Sequence, residues 1–170
     1  AEIITNITTG MGGTLGFVAT IVGLGAILGA VLEHSGGSQA LARFLLSRLG
    51  EKRASLAFVL TGFLVAIPVF FDVAFVLLVP LVYALGRRTG RSLLHFGIPL
   101  LAGLATTHAF ITPPPDPIAV ADILQAELGW VIILGFAVGI PTVPIAGLWC
   151  GKRVGGKFFI PARPPAGPHL

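Results

Sequence analysis

The sequence is poor in the residues that redox and metal chemistry require. Its 170 residues include a single cysteine, Cys150, and four histidines that form no cluster with metal-ligand spacing. One cysteine permits no internal disulfide, and neither a zinc site nor a redox motif can be assembled from this set. No nucleophile–base pair is recognisable either. We therefore expect no cofactor, no metal and no catalytic residues, and we predict that the protein is not an enzyme.

Charged residues are also scarce, at 11% of the chain against 55% hydrophobic residues and 23 glycines. The run 13–32 contains no charge, and as a helix it would be roughly 30 Å long, the thickness of the hydrocarbon core of a bilayer. No basic segment precedes this run, and further apolar segments follow it, so a signal peptide does not explain it. The composition predicts an all-α, multi-pass integral membrane protein with glycine-rich transmembrane helices.

The net charge of +4 does not indicate a nucleic-acid partner, because the basic residues lie in short clusters between apolar segments. Such clusters mark the cytoplasmic ends of membrane helices. One pair, Lys52 and Arg53, precedes the apolar segment 54–86, and Arg87, Arg88 and Arg91 follow it. Both ends of that segment are therefore predicted to lie on the cytoplasmic side of the lipid bilayer.

Residues 54–86 are interrupted at 68–72 by the sequence Pro-Val-Phe-Phe-Asp. Each arm has only about 15 residues, or roughly 22 Å of helix, which is short for a full crossing. These features favour a re-entrant hairpin whose tip stops near the midplane, with a single kinked span as the alternative. Upstream, the apolar face of residues 39–49 predicts a short helix lying in the membrane interface.

A second interruption separates residues 93–111 from residues 118–127. Four prolines fall within positions 113–117, and proline removes a backbone donor and restricts the residue before it. We predict a discontinuous crossing, after which residues 129–150 return to the cytoplasm. Irregular backbone persists at membrane depth only where protein buries it or where it lines a wet cavity. Because half-helix N-termini attract anions, the two interruptions predict a site for a small anion.

Four motifs, in this order along the chain, resemble those of the gluconate permease family. They are Gly-Gly-Thr-Leu-Gly at 12–16, Leu-Glu-His-Ser-Gly-Gly at 32–37, Ile-Pro-Val-Phe-Phe-Asp-Val at 67–73, and Thr-His-Ala-Phe at 107–110 leading into Pro113, Pro115 and Pro117. The resemblance covers nearly all of the chain except its proline-rich tail. It implies a secondary transporter that takes up gluconate or a related sugar acid or small hydroxycarboxylate with protons, built from inverted repeats as an elevator-like homodimer.

Two features depart from the family pattern. The family motif Pro-Pro-His-Pro-Gly-Pro has its first proline, its histidine and its glycine replaced here by Thr112, Pro114 and Asp116. Family members are also considerably longer, so a second repeat is missing. These departures leave open the alternative of a non-transporting membrane fragment or assembly subunit of a larger transporter. We assign residues 1–160 to the transporter membrane domain and residues 161–170 to a disordered proline-rich tail.

Two ionisable residues are the strongest candidates for proton coupling. Asp72 is the only charged residue between Arg53 and Arg87. A carboxylate inside a membrane is energetically costly, which suggests a function for it. A low-dielectric tip would favour its protonated form. His108 could carry a proton or hydrogen-bond a substrate carboxylate. The alternatives are that Asp72 caps a helix beginning at Val73 and that His108 is a structural histidine; sodium remains the alternative coupling ion.

The remaining candidates concern the substrate. Hydroxyls suited to a polyol chain come from Thr106, Thr107 and Thr112, although threonines in membrane helices often bond to their own backbone. Phe71 is expected either to gate the substrate site or to anchor the hairpin tip by packing. Asp116 followed by Pro117 matches the N-cap and first position of a helix starting near Ile118. Glu33, predicted at the membrane surface, is expected to be solvated.

Overall fold

The computed structural model describes residues 2–111 and 115–162, and every regular element in these two ranges is a helix. The all-α prediction is confirmed for this part of the chain. The α-helices in order are α1 (Glu2–His34), α2 (Gly37–Leu49), α3 (Ala54–Val65), α4 (Phe71–Thr89), α5 (Leu94–Phe110), α6 (Pro115–Ile123), α7 (Leu128–Val143) and α8 (Cys150–Lys157). A 3-10 turn at Glu51–Arg53 precedes α3, and a π-helical turn at Pro144–Trp149 joins α7 to α8.

The core forms where α3 crosses α5 at two glycines. A Cβ on Gly62 would lie 2.6 Å from the Leu100 carbonyl oxygen, and a Cβ on Gly103 would collide with the Val59 carbonyl oxygen. Close approach of helix backbones at small residues is a common way to join helices in membranes. Beside the crossing, the Phe58 and Phe96 rings pack with centroids 5.8 Å apart. The two helices therefore form one rigid unit on which the other elements are placed.

The segment 54–86 consists of two helices that fold back on each other. Helices α3 and α4 are separated by residues 66–70, and their other ends come together where Arg88 Nε lies 2.6 Å from Glu51 Oε1. The interruption falls two residues earlier than the predicted 68–72. Pro68 disfavours helical backbone at the residue before it, whereas nothing prevents Phe71 from starting α4. Asp72 therefore lies in the first turn of α4 and not in the loop.

The structure places α2 against this hairpin, where the sequence predicted an interfacial helix. At the end of α1, a Cβ on Gly29 would lie 2.8 Å from the Pro68 carbonyl oxygen at the tip. The chain then reverses at Gly36, whose φ is +67°, and α2 ends beside Glu51. Its 13 residues span about 20 Å, and its Ser38 and Ala42 are fully buried. An apolar helical face can cover protein or lipid, and periodicity does not distinguish the two.

Within the ranges that the structure describes, one helical stretch is long and apolar enough to cross a membrane. It runs through α7 and α8, from Leu128 to Lys157, over 30 residues. The predicted return segment, residues 129–150, lies inside it. Helix α5 is apolar but shorter, with 17 residues, and ends where the proline run begins. The predicted span 13–32 lies inside the 33-residue helix α1.

Candidate functional site

The two interruptions of the fold meet in space. Phe71, the first residue of α4, and His108, in the last turn of α5, have ring centroids 6.1 Å apart. Phe71 also stacks on Phe75, with centroids 6.5 Å apart and planes 8° from parallel. The imidazole therefore lies beside an aromatic pair at the hairpin tip. The structure thus brings the start of α4 and the end of α5 together.

Asp72 lies next to this contact and faces a cavity of about 270 Å³. Its side chain is exposed, so the described residues do not supply the burial expected for a midplane carboxylate. The N-cap position of α4 is occupied by Phe70, with φ −58° and ψ 145°, and no side chain in the described residues caps this helix end. Asp72 is therefore not the cap. The first-turn position does place its charge favourably near the positive end of the helix dipole.

Glu33 lies beside Asp72, a position that the sequence did not predict. It lines the same cavity as Asp72, together with Val73, Val76 and Leu77. The sequence placed Glu33 at the membrane surface because it follows a long uncharged run. The contact of Gly29 with Pro68 brings the end of α1 to the hairpin tip. No pattern in the local sequence predicts that contact.

Two of the three threonines predicted to bind substrate are buried between helices. Thr107 is fully buried, and its hydroxyl donates a hydrogen bond of 2.9 Å to the Phe63 carbonyl of α3. Thr106 is 5% exposed and packs against Gly139 of α7. Thr112 lies outside the described residues. Thr107 thus ties α5 to α3, a bond to a neighbouring helix that replaces the expected bond to its own backbone.

Helix α6 differs from the prediction at both ends. It begins at Pro115 and ends at Ile123, whereas the sequence predicted 118–127. Asp116 therefore lies inside the first turn and is not the N-cap. Prolines are compatible with a first helical turn because its N–H groups have no partner within the helix. Beyond the helix, Gln125 adopts a positive φ of 51°, and its side-chain amide donates to the Asp122 carbonyl at 2.8 Å.

The broken end of α5 also packs closely against α7. A Cβ on Gly135 would collide with the Phe110 carbonyl oxygen, so only glycine lets α7 approach the last residue of α5 at this distance. Beside this contact lies a cavity of about 390 Å³, but its walls are apolar and do not suit a hydroxylated anion. The residues lining it include Phe110, Pro117, Val120, Leu124, Val131, Leu134 and Val138.

Replacing Gly135 by alanine is expected to displace α7 from the end of α5. The added methyl group meets backbone, which cannot rotate away, and such overpacking costs about 1–3 kcal/mol. We expect the apparent unfolding temperature in detergent to fall by about 2–12 °C. Gly129→Ala is the matched control, because no described atom lies within 4 Å of a Cβ at that position of the same helix. An equal loss in both variants would contradict the close approach.

Comparison with known proteins assigns the chain to a family. The sequence model described as GntP family permease matches residues 1–164. The chain is 41% identical over 165 residues to the gluconate permease of Pseudomonas aeruginosa, covering 97% of this chain and 36% of that protein. It is 44% identical over 150 residues to the Escherichia coli inner membrane permease YgbN, covering 88% of this chain and 33% of the relative.

The Escherichia coli Gnt-II system L-idonate transporter is 40% identical over 168 residues, covering 99% of this chain and 38% of that protein. The chain thus spans between about a third and two fifths of the length of these relatives. No solved structure gives a significant match. The family and these relatives are named as permeases and transporters, not as enzymes. By the match over residues 1–164 and these identities, the chain belongs to the GntP permease family.

Proposed function

We propose that this chain forms part of the membrane domain of a secondary active transporter for gluconate or a related sugar acid or small hydroxycarboxylate, driven by protons. The observation that carries the proposal is the contact of Phe71 with His108, which brings the hairpin tip and the broken end of α5 to one place. The relatives are named gluconate permease and L-idonate transporter, and these names supply the substrate class.

Two features of this place suit an anionic substrate. The N-terminus of α4 carries backbone N–H groups without partners in the helix, and an anion there is favoured by the helix dipole. His108 offers an imidazole N–H to a carboxylate. Phe71 covers one side of the imidazole and would limit access to it. We therefore assign substrate binding to His108, Phe71 and the start of α4. Thr106 and Thr107 pack α5 against its neighbouring helices beside this site. Thr112 remains a proposed hydroxyl contact to the substrate.

Proton coupling follows from the charge of Asp72 and Glu33. Ionised carboxylates at the mouth of the site repel an anionic substrate, by roughly 4 kcal/mol for unit charges 4 Å apart near a protein surface. Protonation of Asp72 would reduce that repulsion, so proton and substrate would bind together. Alternating access would then carry both across. His108 could relay the proton, and sodium is the competing coupling ion.

The membrane arrangement belongs to the same proposal. The ion pair between Arg88 and Glu51 joins both ends of the hairpin, and the positive-inside rule assigns the basic clusters there to the cytoplasm. Helix α4 has 19 residues, or about 28 Å, which can carry the tip well into the bilayer. We propose a multi-pass inner-membrane protein with a re-entrant hairpin, completed by a second copy or by a second repeat.

The test is uptake of radiolabelled gluconate into proteoliposomes containing the purified chain, with an inward proton gradient. We expect accumulation that an uncoupler abolishes, that excess L-idonate inhibits, and that empty liposomes do not show. A parallel sodium gradient without a proton gradient is expected to give none; accumulation there would replace the proton by sodium. A helical, monodisperse sample without uptake or exchange would favour the alternative, a non-transporting fragment or assembly subunit, which the partial coverage of the relatives motivates.

A further inference from the structure

A third cavity lies at the opposite end of the hairpin from Asp72, where the start of α5 meets α8. Its volume is about 350 Å³. Arg91, His95 and Lys152 line it together with Ser92, Gly155, Gly156 and Phe159, and none of the described residues that line it is acidic. We call it the basic cavity. No part of the proposed transport site uses it.

The cavity is built by close packing and not by surface side chains alone. A Cβ on Gly155 would lie 3.0 Å from the backbone nitrogen of His95, so glycine lets α8 lie directly against the start of α5. Arg91 Nη1 lies 3.2 Å from His95 Nε2. Because Lys152 lies on the facing helix, cationic and imidazole groups approach the same space from two elements, an arrangement suited to an oxyanion.

The segment after α8 folds back over this region. The Ser92 hydroxyl is buried, donates to the Phe158 carbonyl at 2.9 Å and accepts from the Ile160 amide at 3.1 Å. The Leu93 amide donates to the Ile160 carbonyl at 3.0 Å. Although the backbone is held by three hydrogen bonds, the side chains of Phe158, Phe159 and Ile160 are 62%, 67% and 46% exposed. An ordered backbone thus presents three large apolar side chains outward beside a cationic cavity.

We propose that the basic cavity binds the phosphate of an anionic phospholipid, while Phe158, Phe159 and Ile160 enter the adjoining membrane interface. Arg91 and Lys152 pair with the phosphate, and a phosphoglycerol head group fits a cavity lined with donors. Phenylalanine and other large apolar side chains enter the boundary between head groups and acyl chains, and basic pockets between helices on the cytoplasmic side attract anionic lipids. A soluble phosphate would use the same cations but would leave the three apolar side chains without a role.

Native mass spectrometry of the full chain in detergent tests this. With added dioleoylphosphatidylglycerol we expect one lipid to be retained, and at least tenfold less retention of dioleoylphosphatidylcholine. Arg91→Gln and Lys152→Gln should each weaken retention about tenfold, the effect of losing one charge-assisted hydrogen bond. Gly156→Leu should do the same without changing charge, because no described atom lies within 4 Å of a Cβ there and the new side chain would occupy the cavity.

Lys157→Gln is the matched control, since Lys157 is an exposed cation of α8 that does not line the cavity. It should retain phosphatidylglycerol as the parent chain does. The proposal is overturned if Lys157→Gln weakens retention as much as Lys152→Gln, if Gly156→Leu has no effect, or if both lipids are held equally. Equal affinity for glycerol 3-phosphate would show a site for soluble phosphates and would also overturn it. None of these readouts depends on gluconate transport.

Discussion

Asp72→Asn is expected to abolish proton-driven accumulation of gluconate while sparing exchange of gluconate across the membrane. The amide has almost the shape of the carboxylate but cannot take up a proton, so binding of the anion no longer requires one. An inward gradient of two pH units can support up to about 100-fold accumulation for each coupled proton. In the variant, the ratio of internal to external gluconate should fall towards one. Counterflow, which needs no net proton movement, should persist.

The measurement compares gradient-driven uptake with counterflow in the same proteoliposomes at several pH values. Losing a first-turn charge costs only about 0.3–1 kcal/mol of helix stability, so unfolding does not explain a complete loss. Asp122→Asn is the matched control because it makes the same chemical change on α6, and Asp122 lines none of the cavities described above. Accumulation with unchanged pH dependence in Asp72→Asn would remove Asp72 from the coupling role and direct attention to Glu33.

Gly103→Ala is expected to be strongly destabilising. Its Cβ would collide with the Val59 carbonyl oxygen and lie 2.8 Å from the Phe63 amide nitrogen. Both partners are backbone of α3, so relief requires the two core helices to separate. That separation would also stretch the 2.9 Å hydrogen bond from Thr107 to Phe63. A cost of about 3 kcal/mol corresponds to an apparent unfolding temperature lower by roughly 6–12 °C.

Gly97→Ala provides a control of opposite sign within the same helix. No described atom lies within 4 Å of a Cβ at Gly97, and replacing a helical glycine by alanine stabilises by up to about 1 kcal/mol. The measurement compares the unfolding temperatures of both variants and the parent chain by circular dichroism in one detergent. We expect Gly97→Ala to melt at or above the parent temperature and Gly103→Ala well below it. If both melt alike, the glycine crossing is not what holds α3 to α5.

Local chemistry accounts for the parts of the site that could be predicted. Pro68 and the proline run at 113–117 act on their own backbone and its nearest neighbours, so the positions of both breaks could be inferred to within a few residues. The contact of Phe71 with His108 was not predicted from the sequence, because it joins residues far apart in the chain. The capping roles given to Asp72 and Asp116 did not hold, because helix starts shift by a residue or two according to tertiary context.

By itself, the sequence determined that this chain is a helical membrane protein, because that follows from its hydrophobic composition. It also determined roughly where the helices break, because proline acts on its own backbone and its nearest neighbours. Only the tertiary structure decided that α2 packs along the hairpin and that Glu33 lines the same cavity as Asp72. It also decided that the Thr107 hydroxyl donates to the Phe63 carbonyl. Each of these depends on a contact between residues far apart in the chain, such as Gly29 with Pro68. A periodic apolar face shows that a helix needs a neighbour, but steric fit between backbones selects which neighbour it receives.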